Sequence, residues 1–190
     1  MSALPVPRLT PEQYLAIERA ADFKSEYYDG QMVAMSGGSL TQSVIPPRLV
    51  AVATALRGRG CEIADSDLRV RIGPQGPFVY PDLTVYCGEP ILADDYRDML
   101  LNPTVVFEVL SKSSEALDRG YKFGQYRKIE SLHEYVLVSQ TSPSIEVFRR
   151  QPEGTWVLTE FTGMDAVCRL ASLDCEFPLA DIYRNLKLEP

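Results

Sequence analysis

The apolar and polar positions at the start of the chain predict a helix followed by a β-hairpin. Thr10, Pro11 and Gln13 are typical of a helix start, with threonine as N-cap, proline at the first helical position and glutamine closing a capping box. Farther along, Asp29-Gly30 separates two strand-like runs, and this dipeptide is the strongest short-range signal of a hairpin. We therefore expect a short leading helix and then two antiparallel strands.

Helical spacing returns in the next segment and then gives way to alternation. Four apolar residues recur at helical spacing before Arg-Gly-Arg-Gly, an ending typical of a helix C-terminus. These residues are Ile45, Leu49, Val52 and Leu56. From residue 61 to residue 72, apolar Leu68, Val70 and Ile72 alternate with charged residues, which predicts one strand with a solvent-facing side, followed by a GPQGP turn.

The two most apolar strand-like runs each contain one acidic residue. VYPDLTVY, residues 79–86, contains Asp82, and VVFEVL, residues 105–110, contains Glu108. Removing an ionised carboxylate from water without a partner is costly, so each side chain must be protonated, paired or bound to a cation.

The rest of the chain predicts a helical segment near 115–129, three strands and a short helix near 178–186. The strands are EYVLVSQ, SIEVFRR and TWVLTEF, the last two joined around residues 152–154. This order of elements favours an α/β domain with a mixed sheet. A length of 190 residues with 45% apolar content fits one domain, residues 1–190.

Net charge argues against a general nucleic-acid binder but leaves a local basic face open. The chain has 26 acidic and 19 basic side chains and a formal charge of −7, whereas neutralising phosphates requires clustered Lys and Arg. Residues 111–128 nevertheless carry five basic and two acidic side chains, and Arg69 and Arg71 add a smaller basic strip.

No segment indicates export or membrane insertion. The start MSALPVPRLT lacks a basic segment followed by an apolar run, and nowhere do eighteen apolar residues follow one another. Cys61, Cys87, Cys168 and Cys175 form no CxxC pair and have no histidine close by, so neither a zinc site nor a disulfide framework is indicated. We expect a soluble protein in a reducing cytoplasm.

The two acidic residues in buried strands suit a magnesium site. If the strands are neighbours, the carboxylates of Asp82 and Glu108 converge, because alternate residues of a strand share a face. Mg²⁺ prefers oxygen ligands, usually one or two carboxylates with retained water, and the backbone carbonyl of Val109 would add a third protein ligand. Mn²⁺ is the expected substitute.

A lysine on the following helix completes a candidate catalytic set. Asp118 and Lys122 are four residues apart and share a helix face, from which Lys122 would reach back toward the carboxylates. A pair at this spacing is most often solvated. Lys112, which is nearer the strand, is the alternative candidate for the catalytic lysine. Water attacking a phosphodiester, with the developing charge offset by metal and lysine, is a complete mechanism for these groups.

Three segments carry a resemblance to a known family: EYYDGQMVAMSGGS, YPDLTVYCG and NPTVVFEVLSKSSEALDRGYKFGQYRKIESLHEYVLVSQ. Together they resemble the Uma family of putative restriction endonucleases, a branch of the PD-(D/E)XK nuclease superfamily. The similarity covers nearly the whole chain, and the combination of PD, EVLS and D-x-x-x-K is far more specific than any one motif.

This resemblance implies a restriction-endonuclease-like α/β fold, with a central mixed β-sheet flanked by helices, and Mg²⁺-dependent cleavage of DNA. It marks Asp82 and Glu108 as metal ligands, Lys122 as the catalytic lysine displaced onto the helix, and Glu26 as an accessory acid.

The chain departs from the family pattern at two positions. The superfamily has a lysine two residues after the glutamate, where this chain has Leu110. Members of the branch often have His or Asn where this chain has Gln42.

The candidate carboxylates also have structural interpretations. Glu108 would be satisfied by an ion pair with Lys112, Arg119 or Lys122, and Asp82, which follows a proline, would cap a turn at a sheet edge. Acidic residues such as Glu26 are common beside hairpins for reasons of turn geometry.

Two functions therefore stay open. The first is a metal-dependent DNA endonuclease, favoured by two carboxylates that face each other from buried strands. The second is a catalytically inactive nuclease-fold protein that acts as a nucleic-acid- or protein-binding regulatory module, favoured by the negative charge and by Leu110. Double-strand cleavage normally requires two active sites, so a homodimer fits the first function.

Overall fold

The computed structural model describes residues 8–188, apart from the side chains at positions 55, 57 and 58. Its strands are β1 Ser25–Tyr28, β2 Gln31–Ala34, β3 Cys61–Asp65, β4 Arg69–Arg71, β5 Phe78–Val79, β6 Leu83–Cys87, β7 Met99–Leu100, β8 Val105–Leu110, β9 Glu134–Ser139, β10 Ser144–Arg150, β11 Trp156–Thr162, β12 Val167–Leu170 and β13 Cys175–Pro178. Its helices are α1 Pro11–Glu18, α2 Leu40–Ala53, α3 Glu115–Leu117, α4 Phe123–Tyr126 and α5 Leu179–Tyr183, with a π-helical turn at Asp118–Lys122 and 3₁₀ turns at Thr54–Arg59 and Ala171–Leu173.

The larger sheet has six strands in the order β11-β10-β9-β8-β6-β3. Strands β8 and β9 run parallel, because the helical segment from α3 to α4 carries the chain back across the sheet, and the other neighbours are antiparallel. All six residues of β8 are buried, as the apolar run VVFEVL predicts. The predicted mixed sheet flanked by helices is confirmed.

A smaller sheet of five strands, in the order β2-β1-β5-β4-β7, supplies a second layer. Its β1–β2 hairpin turns at Asp29 (φ 48°) and Gly30 (φ 88°), and two positive φ angles are the geometry that favours Asp-Gly. The predicted capping box of α1 is also present, since the Thr10 hydroxyl accepts from the Gln13 N–H while the Gln13 side chain accepts from the Thr10 N–H.

The alternating faces of β8 belong to two different cores. Val105, Phe107 and Val109 pack with α2, α5 and the β12–β13 ribbon. Val106 and Leu110 pack on the opposite face, with aromatic residues of α4 and β9 and with residues of the smaller sheet. Glu108 shares this second face by the two-residue period of a strand, so it lies between the larger sheet, the smaller sheet and the helical segment.

Two predicted strands are each split between the two sheets. The prediction of one strand across residues 61–72 is wrong, because β3 pairs with β6 in the larger sheet whereas β4 pairs with β5 and β7 in the smaller one. The run VYPDLTVY is divided in the same way: β5 belongs to the smaller sheet, β6 to the larger, and Asp82 lies in the break before β6.

The split also changes the surroundings of Arg69. The sequence predicts Arg69 on a solvent-facing basic strip with Arg71, but Arg69 is buried and its guanidinium pairs with Asp98. The strip therefore does not exist as predicted.

A disulfide joins Cys61 to Cys87. The two residues face each other at one end of the β3–β6 ladder, so the prediction that the cysteines form no disulfide is wrong for this pair. Cys168 and Cys175 are free thiols. In the described part of the chain, no helix is long and apolar enough to cross a membrane.

Candidate nuclease site

Lys122 is the centre of a buried cluster of charged side chains. Its Nζ lies 3.1 Å from Oε1 of Glu26, 3.3 Å from Oε1 of Glu108 and 3.4 Å from Oδ1 of Asp118. The lysine is 6% exposed and Asp118 only 1% exposed, so the solvated alternative for this pair does not hold and Lys122 reaches the carboxylates as predicted. The pair is buried because the smaller sheet covers this helix face.

The helix that carries Lys122 is widened by one π-helical turn at Asp118–Lys122. Such turns are rare and occur frequently at functional sites. Both the first and the last residue of the turn are buried, and both direct their charged groups at the same carboxylate-rich space. The turn thus brings two charges of the helix into the site.

Glu26 reaches Lys122 from β1 and is held by two donors. The backbone N–H of Tyr80 donates to its Oε1 at 3.0 Å, and the hydroxyl of Tyr28 donates to its Oε2. The side chain is buried. Glu26 is therefore an oriented member of the site and more than a hairpin residue.

Asp82 approaches Glu108 from the start of β6. The N–H of Val109 donates to Oδ2 of Asp82 at 2.7 Å. Leu83 faces Phe107 in the β6–β8 register, and continuing that antiparallel register by one residue brings Asp82 opposite Glu108. Asp82 therefore lies opposite Glu108, although it precedes its strand.

Glu108 is 4% exposed, and its Oε1 accepts hydrogen bonds from Lys122 at 3.3 Å and from the hydroxyl of Tyr126 at 3.0 Å. Its ion-pair partner is Lys122, while Arg119 pairs with Glu115 and Glu146. Lys112, the alternative candidate, is exposed and outside this cluster.

Negative charge exceeds positive charge in the site. Burial raises the pKa of the Asp82 carboxyl despite the Val109 hydrogen bond, and burial likewise raises the pKa values of Glu108 and Asp118 against the attraction of Lys122. Burial alone would lower the pKa of Lys122, but its attraction to Glu108 and Glu26 raises it well above its ordinary value. The lysine therefore stays protonated and is shared by more carboxylates than it can neutralise.

The unshared oxygens suit a hard divalent cation. Among the described residues, no hydrogen bond reaches Oδ1 of Asp82 or Oε2 of Glu108. Within residues 8–188 no three His, Cys, Asp or Glu side chains are grouped to hold a metal ion. A cation would thus take two carboxylates, the carbonyl of Val109 and water, a set that fits Mg²⁺ or Mn²⁺.

The side chain of Gln42 lies at the same place. Its Nε2 donates to the carbonyl of Val109 at 3.5 Å, a long hydrogen bond, while its Oε1 caps the start of α2 by accepting from the Ser39 N–H. The position that departs from the family pattern therefore borders the candidate metal site.

The structure brings together all four predicted side chains, namely Glu26, Asp82, Glu108 and Lys122. Sequence reasoning missed Tyr28 and Tyr126, the two tyrosines that donate to the carboxylates. A signal for both was available in the spacing. Tyr28 lies two residues after Glu26 on a strand, and Tyr126 lies four residues after Lys122 on a helix, so each shares a face with a site residue.

Comparison with known proteins identifies relatives over most of the chain. Residues 11–180 match the Uma2 family, described as "Putative restriction endonuclease". Two uncharacterized proteins of Synechocystis sp. (strain ATCC 27184 / PCC 6803 / Kazusa) are similar: slr1290 is 39% identical over 188 residues, covering 96% of this chain and 95% of that protein. The second, sll1609, is 34% identical over 159 residues, covering 83% of this chain and 90% of its own.

A solved structure shares the fold. The crystal structure of a putative nuclease belonging to DUF820 from Anabaena variabilis ATCC 29413 superposes with a TM-score of 0.76 at 19% sequence identity, covering 94% of this chain and 99% of the other. The predicted restriction-endonuclease-like fold is thereby confirmed.

Proposed function

The chain belongs to the Uma2 family of putative restriction endonucleases, and we propose that it is a divalent-metal-dependent DNA endonuclease. The observation that carries this proposal is the position of Asp82 opposite Glu108 in the β6–β8 register, with the ammonium of Lys122 beside the Glu108 carboxylate. A structural ion pair requires one carboxylate for one lysine, whereas this site has an excess of carboxylates.

When bound, Mg²⁺ or Mn²⁺ supplies Lewis acidity toward the phosphodiester and lowers the pKa of adjacent water. The chain would hold the cation through Oδ1 of Asp82, Oε2 of Glu108 and the carbonyl of Val109. The second oxygen of each carboxylate is already fixed, by the Val109 N–H and by Lys122 with Tyr126. These donors orient the ligands before the cation arrives.

Lys122 would act on the phosphate. With the charge of Glu108 compensated, the ammonium of Lys122 would stay held by Glu26 and Asp118. From there Lys122 donates a hydrogen bond to a phosphate oxygen on which negative charge develops. This gives the helix lysine the task that the absent lysine at position 110 has in the superfamily pattern.

Exposed basic residues beside the helical segment support DNA as the substrate. Lys112, Arg127 and Lys128 are exposed, whereas Lys122 is buried in the site. The predicted basic face is therefore smaller than residues 111–128 suggest, and it would contact phosphates near the site. A homodimer and a cytoplasmic location are further parts of this proposal.

The direct test is nicking of supercoiled plasmid with Mg²⁺, Mn²⁺ or EDTA. Asp82→Ala and Glu108→Ala are expected to abolish metal-stimulated nicking while circular dichroism shows a retained fold. Asp165→Ala, which removes an exposed carboxylate outside the site and is purified identically, is the matched control for contaminating nucleases and should nick like the parent. Unchanged nicking by the Asp82 and Glu108 variants would defeat the proposal.

One observation favours the second candidate function, a nuclease-fold binding module. Lys122 pairs with Glu108 and Glu26, so the buried carboxylates have a partner without any metal. Calorimetric titration separates the two functions. A measurable heat of Mg²⁺ or Mn²⁺ binding supports the nuclease. No binding heat for either ion, together with retained DNA binding, supports the binding module.

A further inference from the structure

A second buried polar network lies next to the candidate site and contains Glu18, the last residue of α1. Its carboxylate accepts from the N–H of Ser25 with both oxygens, at 3.0 and 3.1 Å, and from the hydroxyl of Tyr80 at 2.8 Å. Both Glu18 and Tyr80 are 6% exposed. The carboxylate is thus fully engaged and has no part in holding the cation.

Tyr80 connects this network to the nuclease site. Its hydroxyl donates a hydrogen bond to the carboxylate of Glu18, while its backbone N–H donates to Oε1 of Glu26 at 3.0 Å. The same oxygen of Glu26 lies 3.1 Å from Nζ of Lys122. One residue therefore links α1 to the group that orients the candidate catalytic lysine.

Tyr80 also precedes the first proposed metal ligand. Only Pro81 separates it from Asp82, and a proline restricts the backbone on both sides of itself. The break between β5 and β6 lies at these three residues. Anchoring the Tyr80 ring therefore limits how far Asp82 can move relative to Glu108.

Cations that already have carboxylate partners lie over the Tyr80 ring. The guanidinium of Arg69 lies 5.6 Å from the ring centroid and pairs with Asp98. Nζ of Lys24 lies 5.5 Å from the same centroid and pairs with Asp67. Because these cations have partners outside the nuclease site, we assign the network around the ring to support of that site.

We propose that Tyr80, anchored by Glu18, is a positioning residue that holds Glu26 and Asp82 in register with Lys122 and Glu108. This inference rests on the proposed nuclease function. Glu18 and Tyr80 contact neither the proposed metal nor the substrate, and they act by positioning Glu26 and Asp82.

The test is Tyr80→Phe, which removes the hydroxyl bond to Glu18 and keeps the ring and the N–H that Glu26 accepts. Loss of an outer partner of a metal site typically lowers affinity or activity by about 10–100-fold. We expect kcat to fall by about tenfold with KM for plasmid unchanged, and Mn²⁺ affinity measured by calorimetry to fall by a similar factor of about ten.

Tyr27→Phe is the matched control. Tyr27 is the neighbour of Glu26 on β1, is buried, and donates its hydroxyl to the carbonyl of Leu9 at 2.8 Å, away from the site. A general weakening of β1 would change both variants alike. We expect Tyr27→Phe to lose thermal stability while kcat and Mn²⁺ affinity stay at the parent values.

Glu18→Gln adds a conservative variant, because its amide oxygen still accepts from Tyr80, whereas Glu18→Leu accepts nothing. We expect Glu18→Gln to retain most Mn²⁺ affinity and Glu18→Leu to match Tyr80→Phe. Parent-like Mn²⁺ affinity and kcat in Tyr80→Phe would overturn the positioning role alone, provided that Asp82→Ala abolishes both. A parent protein that binds no Mn²⁺ would overturn the nuclease proposal and this inference together.

Discussion

The ammonium nitrogen of Lys122 lies 3.3 Å from Oε1 of Glu108, although one residue comes from a helix and the other from the middle of a sheet. The same nitrogen is within 3.4 Å of Asp118 and 3.1 Å of Glu26. In the folded chain, one cation thus keeps a set of buried anions together. This arrangement makes predictions for stability that are separate from those for activity.

Replacing Lys122 by methionine should destabilise the protein strongly. Removing one partner of a buried ion pair leaves uncompensated charge and typically costs about 3–5 kcal/mol. We expect that loss for Lys122→Met in guanidinium unfolding at pH 7.5 with EDTA. Lys128→Met, which changes an exposed lysine of the same region, should alter stability by less than about 0.5 kcal/mol. Equal stability of the two variants would show that Lys122 does not neutralise the cluster.

Asp82→Asn should melt higher than the parent in the absence of metal. Burial raises the pKa of Asp82, so its charged form is unfavourable in the folded state, and the amide oxygen of asparagine still accepts from Val109. A gain of about 1 kcal/mol corresponds to about 2–4 °C for a chain of this size.

The same variant should lose the stabilisation by added Mg²⁺ that the parent gains through binding. Asp67→Asn, at an exposed position, is the control and should behave like the parent. If Asp82→Asn instead melts lower, Asp82 is a structural partner in an ion pair.

The three buried carboxyls of the site should contribute less and less to the stability of the metal-free protein as pH rises above about 4. Asp82, Glu108 and Asp118 have pKa values raised by burial in the folded state, whereas unfolded Asp and Glu titrate near 4. Between these values the folded state binds more protons, so the unfolding free energy falls with rising pH and levels off above the folded pKa values.

Unfolding in EDTA across pH 4.5 to 8 measures this slope, and Asp82→Asn should flatten it in part. Saturating Mg²⁺ should oppose the decline, because a bound cation replaces the protons. A slope that is the same in parent and variant would contradict the assignment to this site.

Reduction of the Cys61–Cys87 disulfide should destabilise the fold. The bridge closes a segment with a sequence separation of 26 residues, and a loop of this size corresponds to about 3.5 kcal/mol of lost chain entropy in the unfolded state. We expect a loss of that order for Cys61→Ser with Cys87→Ser, measured by urea unfolding.

Cys175→Ser is the matched control, because Cys175 is a free, half-buried thiol. Thiol alkylation and mass spectrometry of the protein taken from cells also test the predicted cytoplasmic location. A pair that is reduced in cells fits a reducing compartment, and equal stability with and without reductant would contradict the stabilising role.

Local patterns were enough for much of the fold. The capping box at Thr10, the Asp29-Gly30 hairpin and the buried strand around Glu108 follow from interactions within a few residues, and each is present in the structure. The spacing of Asp118 and Lys122 also places both on one helix face, as expected.

The choice of sheet could not be predicted in this way. The alternation of apolar and charged residues across residues 61–72 is the same whether they lie in one sheet or two. Such alternation indicates which side of a strand each side chain points to, but not which strand is its neighbour. Burial of Arg69 and pairing of Cys61 with Cys87 both depend on that choice. So does the place of Tyr80, whose two ends reach residues 62 and 54 positions away.

The sequence by itself therefore determined which residues are chemically unusual: Asp82 and Glu108 are acids in apolar runs, where water is scarce and a partner is obligatory. Only the tertiary structure decided which residues contact these acids. It brought Glu26 on β1, Glu108 on β8 and Lys122 on the helical segment to within hydrogen-bonding or ion-pair distance. The reason is physical: burial is encoded locally by side-chain polarity, whereas contact between distant segments depends on how sheets and helices pack.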